Sequence, residues 1–288
     1  MQQRGVTEVH TPILSAAGNT EPNIECFVTE YHGPRRGGAA WRYLRTSPEY
    51  PLKRLLAAGF GDCYELGRVF RDGEAGRRHN PEFDMLEWYR TGFDHRRLML
   101  EAIELVRAAL ALAGRKAEVR IISYRDLYRD VLGLDPMQAD IRDLRAPLAE
   151  FGIDPEGLGR DDWLDLLMTH RLEPDFPRDR ITAIYDYPAS QCMLARVRAG
   201  DPPLAERFEL FLGPRELANG YHELADGREQ RSRFGRENKV REARDQAIMP
   251  IDENLLDVLD ELPDCAGVAL GVERLLMAML DADNIAEV

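Results

Sequence analysis

Long apolar runs are missing from this 288-residue chain: none approaches the roughly 20 residues that a bilayer-spanning helix needs. Nor does a basic leader followed by an apolar stretch open it. A soluble, cytoplasmic protein with no membrane partner is therefore expected. Cysteine is scarce. The four present, Cys26, Cys63, Cys192 and Cys265, show no paired spacing of the kind that builds a zinc site or a redox couple, so reduced thiols are expected. Positive charge is also in deficit, with 38 basic residues against 51 acidic ones and a net charge of −13. A chain that neutralises many phosphates carries a basic excess, so wholesale polynucleotide binding is disfavoured. A local cationic pocket is not, because net charge says nothing about where Arg71, Arg77, Arg78 and Arg274 sit. Internal repeats and low-complexity tracts are absent as well.

What is present is core material, 44% hydrophobic residues, ample for one large domain or two modest ones. Gly5–Leu14 alternates polar and apolar residues before a proline, which predicts a short strand running into a loop. Ile24–Glu30, Ala40–Thr46, Cys63–Arg71 and Pro81–Thr91 carry β-branched and aromatic residues between turn signals and read as strands of an antiparallel meander. Helices are predicted over Glu49–Ala58, stopping at Gly59, and from Asp94 to about Leu112, where Leu98, Ile103, Val106 and Leu110 form an apolar stripe. Residues 119–177, punctuated by Pro136, Pro147 and Pro155, read as a small helical insertion. Strands resume at Ile181–Tyr187 and Glu206–Gly213, a charged helix with a solvated face follows over Asp226–Arg244, and Val268–Leu280 passes from strand to apolar helix.

Four stretches carry chemistry. Arg68–Tyr89, RVFRDGEAGRRHNPEFDMLEWY, sets two strands around a loop with four arginines, a histidine and an asparagine. A planar guanidinium engages two phosphate oxygens at once, which makes Arg71 a candidate phosphate ligand; a hairpin tip with solvated surface charge is the plainer reading. Glu209 with ELANGYHE, Glu216–Glu223, concentrates carboxylates that repel one another unless a cation offsets them. Mg²⁺ and the ammonium of a cationic substrate are both candidates, and an exposed acidic strand after a turn is the bland alternative. GVALGVERL, Gly267–Leu275, runs a glycine-rich strand into a helix; Gly271 admits a close approach and Arg274 presents a cation there, although strand-to-helix packing alone explains such glycines. In Thr46–Glu49, Ser47 suits an N-cap and Pro48 the first helical position.

The pattern FRxxxxxxxHNPEFxxxEWY resembles the second of the three motifs of class II aminoacyl-tRNA synthetases in its lysine-type form. The glutamate-rich segment is similar to ELxNGxxEL of the lysine enzymes, and the glycine-rich segment resembles the third motif with its Glu273-Arg274 pair. The resemblance covers essentially the whole chain and implies an α+β class II catalytic core, an antiparallel sheet flanked by helices. It further implies ATP and Mg²⁺. Arg71 would contact the α-phosphate and Arg274 the adenine and γ-phosphate, as the two catalytic cations. His79 and Asn80 would hold the triphosphate, Phe83 would stack under adenine, and Asp72, Gly73, Leu217 and Gly271 would complete the nucleotide contacts. Glu209 and Glu216 would face the metal. Ser47, Pro48, Glu49, Glu87, Tyr89, Asn219, Tyr221, Glu223 and Ala269 would surround the amino acid, with Glu49 on an amino group.

An ordinary lysyl-tRNA synthetase places an anticodon-binding barrel before this core, and only four residues precede Gly5. The segments DYPASQ, HELADGREQ and PDCAGVALGVERL resemble a paralogous branch whose acceptor is a protein. Ala269 fits that branch, since tRNA-charging lysine enzymes have glycine there. That resemblance implies activation of (R)-β-lysine, or lysine, as an adenylate and its transfer to a lysine of elongation factor P by a homodimer, with no tRNA partner. A truncated tRNA-charging enzyme and a catalytically silent regulator remain the alternatives. Three departures stand out. Arg71-Asp72-Gly73-Glu74 replaces the RNE of lysine enzymes, the first-motif helix is largely missing, and the chain stops at Val288, before the family's usual final strand. Both ends are therefore expected to be trimmed.

Overall fold

A computed structural model describes residues 1–33 and 40–288. In chain order the strands are β1 (Thr7–Glu8), β2 (Leu14–Ser15), β3 (Val28–Glu30), β4 (Trp41–Leu44), β5 (Cys63–Phe70), β6 (Glu82–Thr91), β7 (Glu118–Ser123), β8 (Arg180–Pro188), β9 (Val197–Arg198), β10 (Leu204–Leu212), β11 (Arg215–His222) and β12 (Cys265–Gly271). The α-helices are α1 (Glu49–Ala57), α2 (His95–Leu112), α3 (Tyr124–Leu132), α4 (Ile141–Arg145), α5 (Arg160–Leu167), α6 (Gly227–Ala243), α7 (Glu253–Leu256) and α8 (Val272–Leu280). They fall into two compact units, one of residues 1–93 with 224–288 and the other of residues 94–223. No helix among the described residues is long and apolar enough to cross a membrane.

In the first unit β5, β6 and β12 pair antiparallel and β1 adds to β5 in parallel, while β2, β4 and β3 form a small separate sheet. Trp88 and Tyr89 on β6 are buried against this frame. The charged helix α6 is less solvated than its sequence predicts. Arg241, fully buried, donates to both carboxylate oxygens of Glu25 at 2.9 and 2.7 Å, and Phe234 is buried beside it in sequence terms two turns earlier. A helix with almost no apolar stripe is thus anchored by polar contacts distant in sequence, Arg241 to Glu25 and Asn238 to Met249 among them, which charge counting along the helix cannot reveal.

In the second unit β10 pairs antiparallel with β8, β9 and β11, and β7 adds to β8 in parallel. The segment predicted to be a helical insertion therefore opens with a strand. Glu118–Ser123, EVRIIS, has the β-branched residues and period-two alternation of a strand. Helices then follow, α3 capped by the Ser123 hydroxyl, which accepts from Asp126 N at 3.1 Å, and ended by Gly133 at φ +67°. Tyr124, Leu127, Tyr128, Leu144, Trp163, Leu164 and Leu167 bury their apolar faces together with Ile184 of β8. Similarly, α2 begins where Asp94 accepts from Arg97 N at 2.8 Å and buries Leu98, Ile103, Val106 and Leu110 as its stripe predicts. Leu164 is fully buried in the α3–α5 cluster. Its replacement by alanine is expected to lower the unfolding free energy by about 2–5 kcal/mol in urea denaturation; a change near zero would show that these helices contribute no cooperative core.

Candidate active site

In the first unit the site is laid out along one face of β6, where Phe83, Met85, Glu87 and Tyr89 alternate with residues of the other face. Glu87 is 2% exposed. Its two oxygens accept from hydroxyls, Ser47 Oγ at 2.6 Å and Tyr89 OH at 2.8 Å. Burial, then the nearby Glu49 charge, push the Glu87 carboxyl up to about 7, with Ser47, Tyr89 and Lys53 pulling the other way. Cross-strand register puts Ala269 of β12 directly opposite Glu87, so the alanine methyl and the Glu87 side chain leave the same face of the sheet side by side. Glu65 of β5 opposes Glu87 on the other side and is already neutralised by Arg45 at 2.7 Å.

Ser47 does not act as the N-cap of α1. Pro48 holds that position, and the Ser47 hydroxyl reaches forward to accept from Glu49 N at 2.9 Å while donating to Glu87. The serine thus links the helix start to the buried carboxylate. Lys53, one turn along α1, places its ammonium 2.6 Å from Glu49 Oε1 and is itself 2% exposed. The sequence reading passed over Lys53, although the Glu49–Lys53 spacing of four was visible.

At the far end of the β5–β6 pair Arg71 follows the strand, its backbone N–H donating to the Pro81 carbonyl at 2.9 Å. Its guanidinium carbon stands 5.2 Å from the centre of the Phe83 ring, a cation–π contact, and Nη1 lies 3.3 Å from Glu74 Oε1. Arg71 Nε is buried with no hydrogen-bond partner among the described residues. Glu74, displaced by one position in the motif, therefore still finds the arginine. Gly73 at φ +79° turns the chain as only glycine does freely, and Asp72 donates its backbone N–H to Glu25 O at 2.9 Å. His79 Nε2 accepts from Arg274 Nη2 at 2.7 Å, joining the loop to the start of α8. Glu273 accepts the Asp84 backbone N–H at 2.9 and 3.0 Å, which locks α8 onto β6. A Cβ on Gly271 would lie 3.7 Å from the Arg274 side chain, so this glycine leaves the space beside the arginine clear. Asn80 is exposed beside His79.

The second unit carries the acidic row. Register on β10 and β11 pairs Glu209 with Asn219 and Arg207 with Tyr221, and a bulge after Leu210 brings Glu216 opposite Phe211. Glu209 accepts from Tyr187 OH at 2.7 Å and from Arg207. Burial, with the Glu216 charge adding to it, pushes the Glu209 carboxyl up to about 7 despite Arg207. The Arg207 guanidinium lies 4.3 Å over the Tyr187 ring and 5.9 Å from that of Tyr221. Asn219 Oδ1 is buried without a hydrogen-bond partner among the described residues, Glu223 is 1% exposed, and Leu217 is buried. Arg207 and Tyr187 were missed in the sequence, where Arg207 reads as one charge in ERFEL and its stacking partner lies on a strand 20 residues earlier by residue number.

This chemistry has counterparts. The model of the tRNA synthetases class II (D, K and N) matches residues 1–288. The chain belongs to this family. Among curated class II relatives, the elongation factor P–(R)-β-lysine ligase of Salmonella gallinarum is 46% identical over 290 residues, spanning 99% of this chain and 88% of that protein. The ligase of the same name from an Enterobacter species is equally similar, with the same shares of both chains covered. Class II membership accords with the α+β architecture and the antiparallel pairing around β6 and β10.

The raised Glu87 gives a pH dependence. An unfolded glutamate titrates near its ordinary 4.5 and the folded one near 7, so between these values the folded state holds a proton that the unfolded state has released. The stabilising contribution is complete below about 4.5 and is lost as pH rises to about 7. Denaturation at a series of pH values is expected to show wild type losing stability across this window relative to Glu87→Gln. A difference independent of pH would contradict the assignment.

Proposed function

We propose that this chain activates (R)-β-lysine, or lysine, with ATP and transfers it to a lysine side chain of elongation factor P. The observation that carries this reading is the order of groups along β6. Arg71 over Phe83 offers a cation and an aromatic surface, and four residues further, about 13 Å at strand spacing, a buried carboxylate lacks a cation of its own. An aminoacyl adenylate with an ammonium-tipped side chain needs an anion site and a carboxylate separated in that way. The names of relatives 46% identical across nearly all of the chain support the specific acceptor. The net charge of −13 supports a protein over a tRNA.

On this reading the substrate carboxylate attacks the α-phosphorus of ATP and pyrophosphate leaves. Arg71, with an Nε that has no internal partner, stabilises charge growing on the α-phosphate, and Arg274, held by His79, binds the triphosphate. Asn80, Asp72 and Gly73 supply further polar contacts to the nucleotide, Leu217 and Gly271 apolar and open surface. The adjacent carboxylates Glu209 and Glu216 fit a Mg²⁺ ion, since the Glu216 charge raises the cost of charging Glu209, and bound Mg²⁺ would neutralise phosphate charge. Glu87 and Glu49 read an amino group, with Ser47, Pro48, Tyr89 and Ala269 shaping the space; within residues 94–223, Asn219, Tyr221 and Glu223 are the groups assigned to the amino acid by the resemblance. The ε-amine of the acceptor lysine then attacks the adenylate carbonyl, forming an isopeptide bond and releasing AMP. Positioning accounts for the rate; no side chain is assigned as a general base. Part of the same reading is a homodimer working in the cytoplasm.

ATP–pyrophosphate exchange across (R)-β-lysine, (S)-β-lysine and lysine, followed by transfer to elongation factor P or tRNA, tests the proposal. Exchange with (R)-β-lysine and label on the protein are expected. Label on tRNA would instead identify a tRNA-charging enzyme, and no exchange with any substrate would leave only a silent regulator. Arg71→Ala is expected to slow adenylate formation on the order of 10²-fold or more. Glu87→Gln is expected to raise KM for the amino acid while leaving that for ATP nearly unchanged.

A further inference from the structure

A second polar cluster lies within residues 94–223, on the opposite face of β10 and β11 from the acidic row. Side chains alternate along a strand, so Glu206 and His222 point away from the side that carries Arg207, Glu209, Asn219 and Tyr221. His95, the first residue of α2, meets them there. One ligand atom from each of His95, Glu206 and His222 lies within 4.8 Å of the other two, and all three residues are buried.

Their surroundings are those of a built site. His95 Nε2 is 2.9 Å from Asp186 Oδ1, which orients the ring, while His95 Nδ1 is buried with no hydrogen-bond partner among the described residues. His222 Nδ1 is 2.6 Å from Glu206 Oε2. Arg198 donates to Glu206 Oε1 and to Asp186 Oδ2, both at 2.8 Å, and Arg96 donates to Asp186 Oδ2 at 2.7 Å. Two guanidiniums thus match two carboxylates, and neither imidazole is required as a counter-ion. Both arginine side chains reach solvent, 51% and 41% exposed, so an entering cation can exchange for a guanidinium rather than add to it. Asp186 itself sits at φ +59°, a left-handed conformation that a non-glycine residue adopts only when its surroundings hold it there, and it lies at the irregularity in the β8–β10 pairing.

We propose that His95, Glu206 and His222 bind a divalent transition ion of the Zn²⁺ class as a structural site. Two imidazoles and one carboxylate are a donor set for such an ion rather than for Mg²⁺, which takes oxygen ligands, and Asp186 supplies the carboxylate behind a ligating histidine that fixes its ring. The ion pins the first turn of α2 to the back of the two strands whose front carries Glu209, Asn219 and Tyr221.

Titration of the full-length, metal-stripped protein with Co²⁺ tests this through its visible absorption, with bound zinc measured separately by elemental analysis. About one ion per chain is expected, with Zn²⁺ displacing Co²⁺ and raising the melting temperature. His95→Ala and Glu206→Gln, each checked for folding by far-ultraviolet circular dichroism, are expected to abolish the Co²⁺ spectrum, and Asp186→Asn to weaken binding about 10–100-fold. A wild-type protein that takes up no ion and melts at the same temperature with and without Zn²⁺ would overturn the proposal and leave a hydrogen-bonded polar core. Binding that survives both His95→Ala and Glu206→Gln would overturn it equally, as an adventitious ion.

Discussion

A carboxylate buried without a cation of its own is the constraint around which the β6 site is organised. Burial of a charged group is unfavourable unless it is paired, and Glu87 has only the hydroxyls of Ser47 and Tyr89 on its oxygens. Its cationic neighbours relieve it only in part. Arg45 is committed to Glu65 and Lys53 to Glu49, each at salt-bridge distance. The fold therefore holds a carboxylate whose charge burial disfavours, and on the proposed function a substrate ammonium would supply what is missing. Ala269 lies opposite Glu87 in the register, so on the proposed function its methyl group would bear on the shape of the amino acid accepted.

On β10 a buried carboxylate does have a cation of its own. Glu209 is pushed up by burial and by Glu216 even though Arg207 bonds it, and that arginine is itself clamped against the Tyr187 ring. Arginine is the residue suited to this clamp, being always charged, planar and able to stack. The cationic side of the chemistry has a different construction. Arg71 stands over Phe83 and against Glu74 with its Nε unbonded among the described residues, and Arg274 donates to His79. Firm burial of the acidic groups and an Arg71 guanidinium with an unbonded Nε fit the proposed selection of a cationic amino acid and binding of phosphate.

Much of this was legible in the sequence because the motifs are local. The β5–loop–β6 hairpin, the strand-to-helix passage at Gly271 and the α2 stripe all follow from short-range periodicity and turn residues, and the resemblance to class II enzymes rested on those same stretches. What escaped depends on contacts distant in sequence. Arg207 meets Tyr187 only through the β8–β10 register, Arg241 meets Glu25 across more than two hundred residues, and His95 joins Glu206 and His222 from a different element. Ser47 precedes the N-cap by one position because its hydroxyl answers to Glu87 as well as to the helix, and β7 is hard to separate from the helices after it because its six residues lead directly into α3.

The central claim is that a substrate ammonium completes the charge of a buried carboxylate. Calorimetric binding of (R)-β-lysine to the full-length protein slightly below neutral pH, without ATP or Mg²⁺ and in buffers of different ionisation enthalpy, tests it most directly by counting protons exchanged. With Glu87 titrating near 7 in the free protein, binding is predicted to release a proton from wild type and none from Glu87→Gln. Binding by wild type with no proton release would contradict the account.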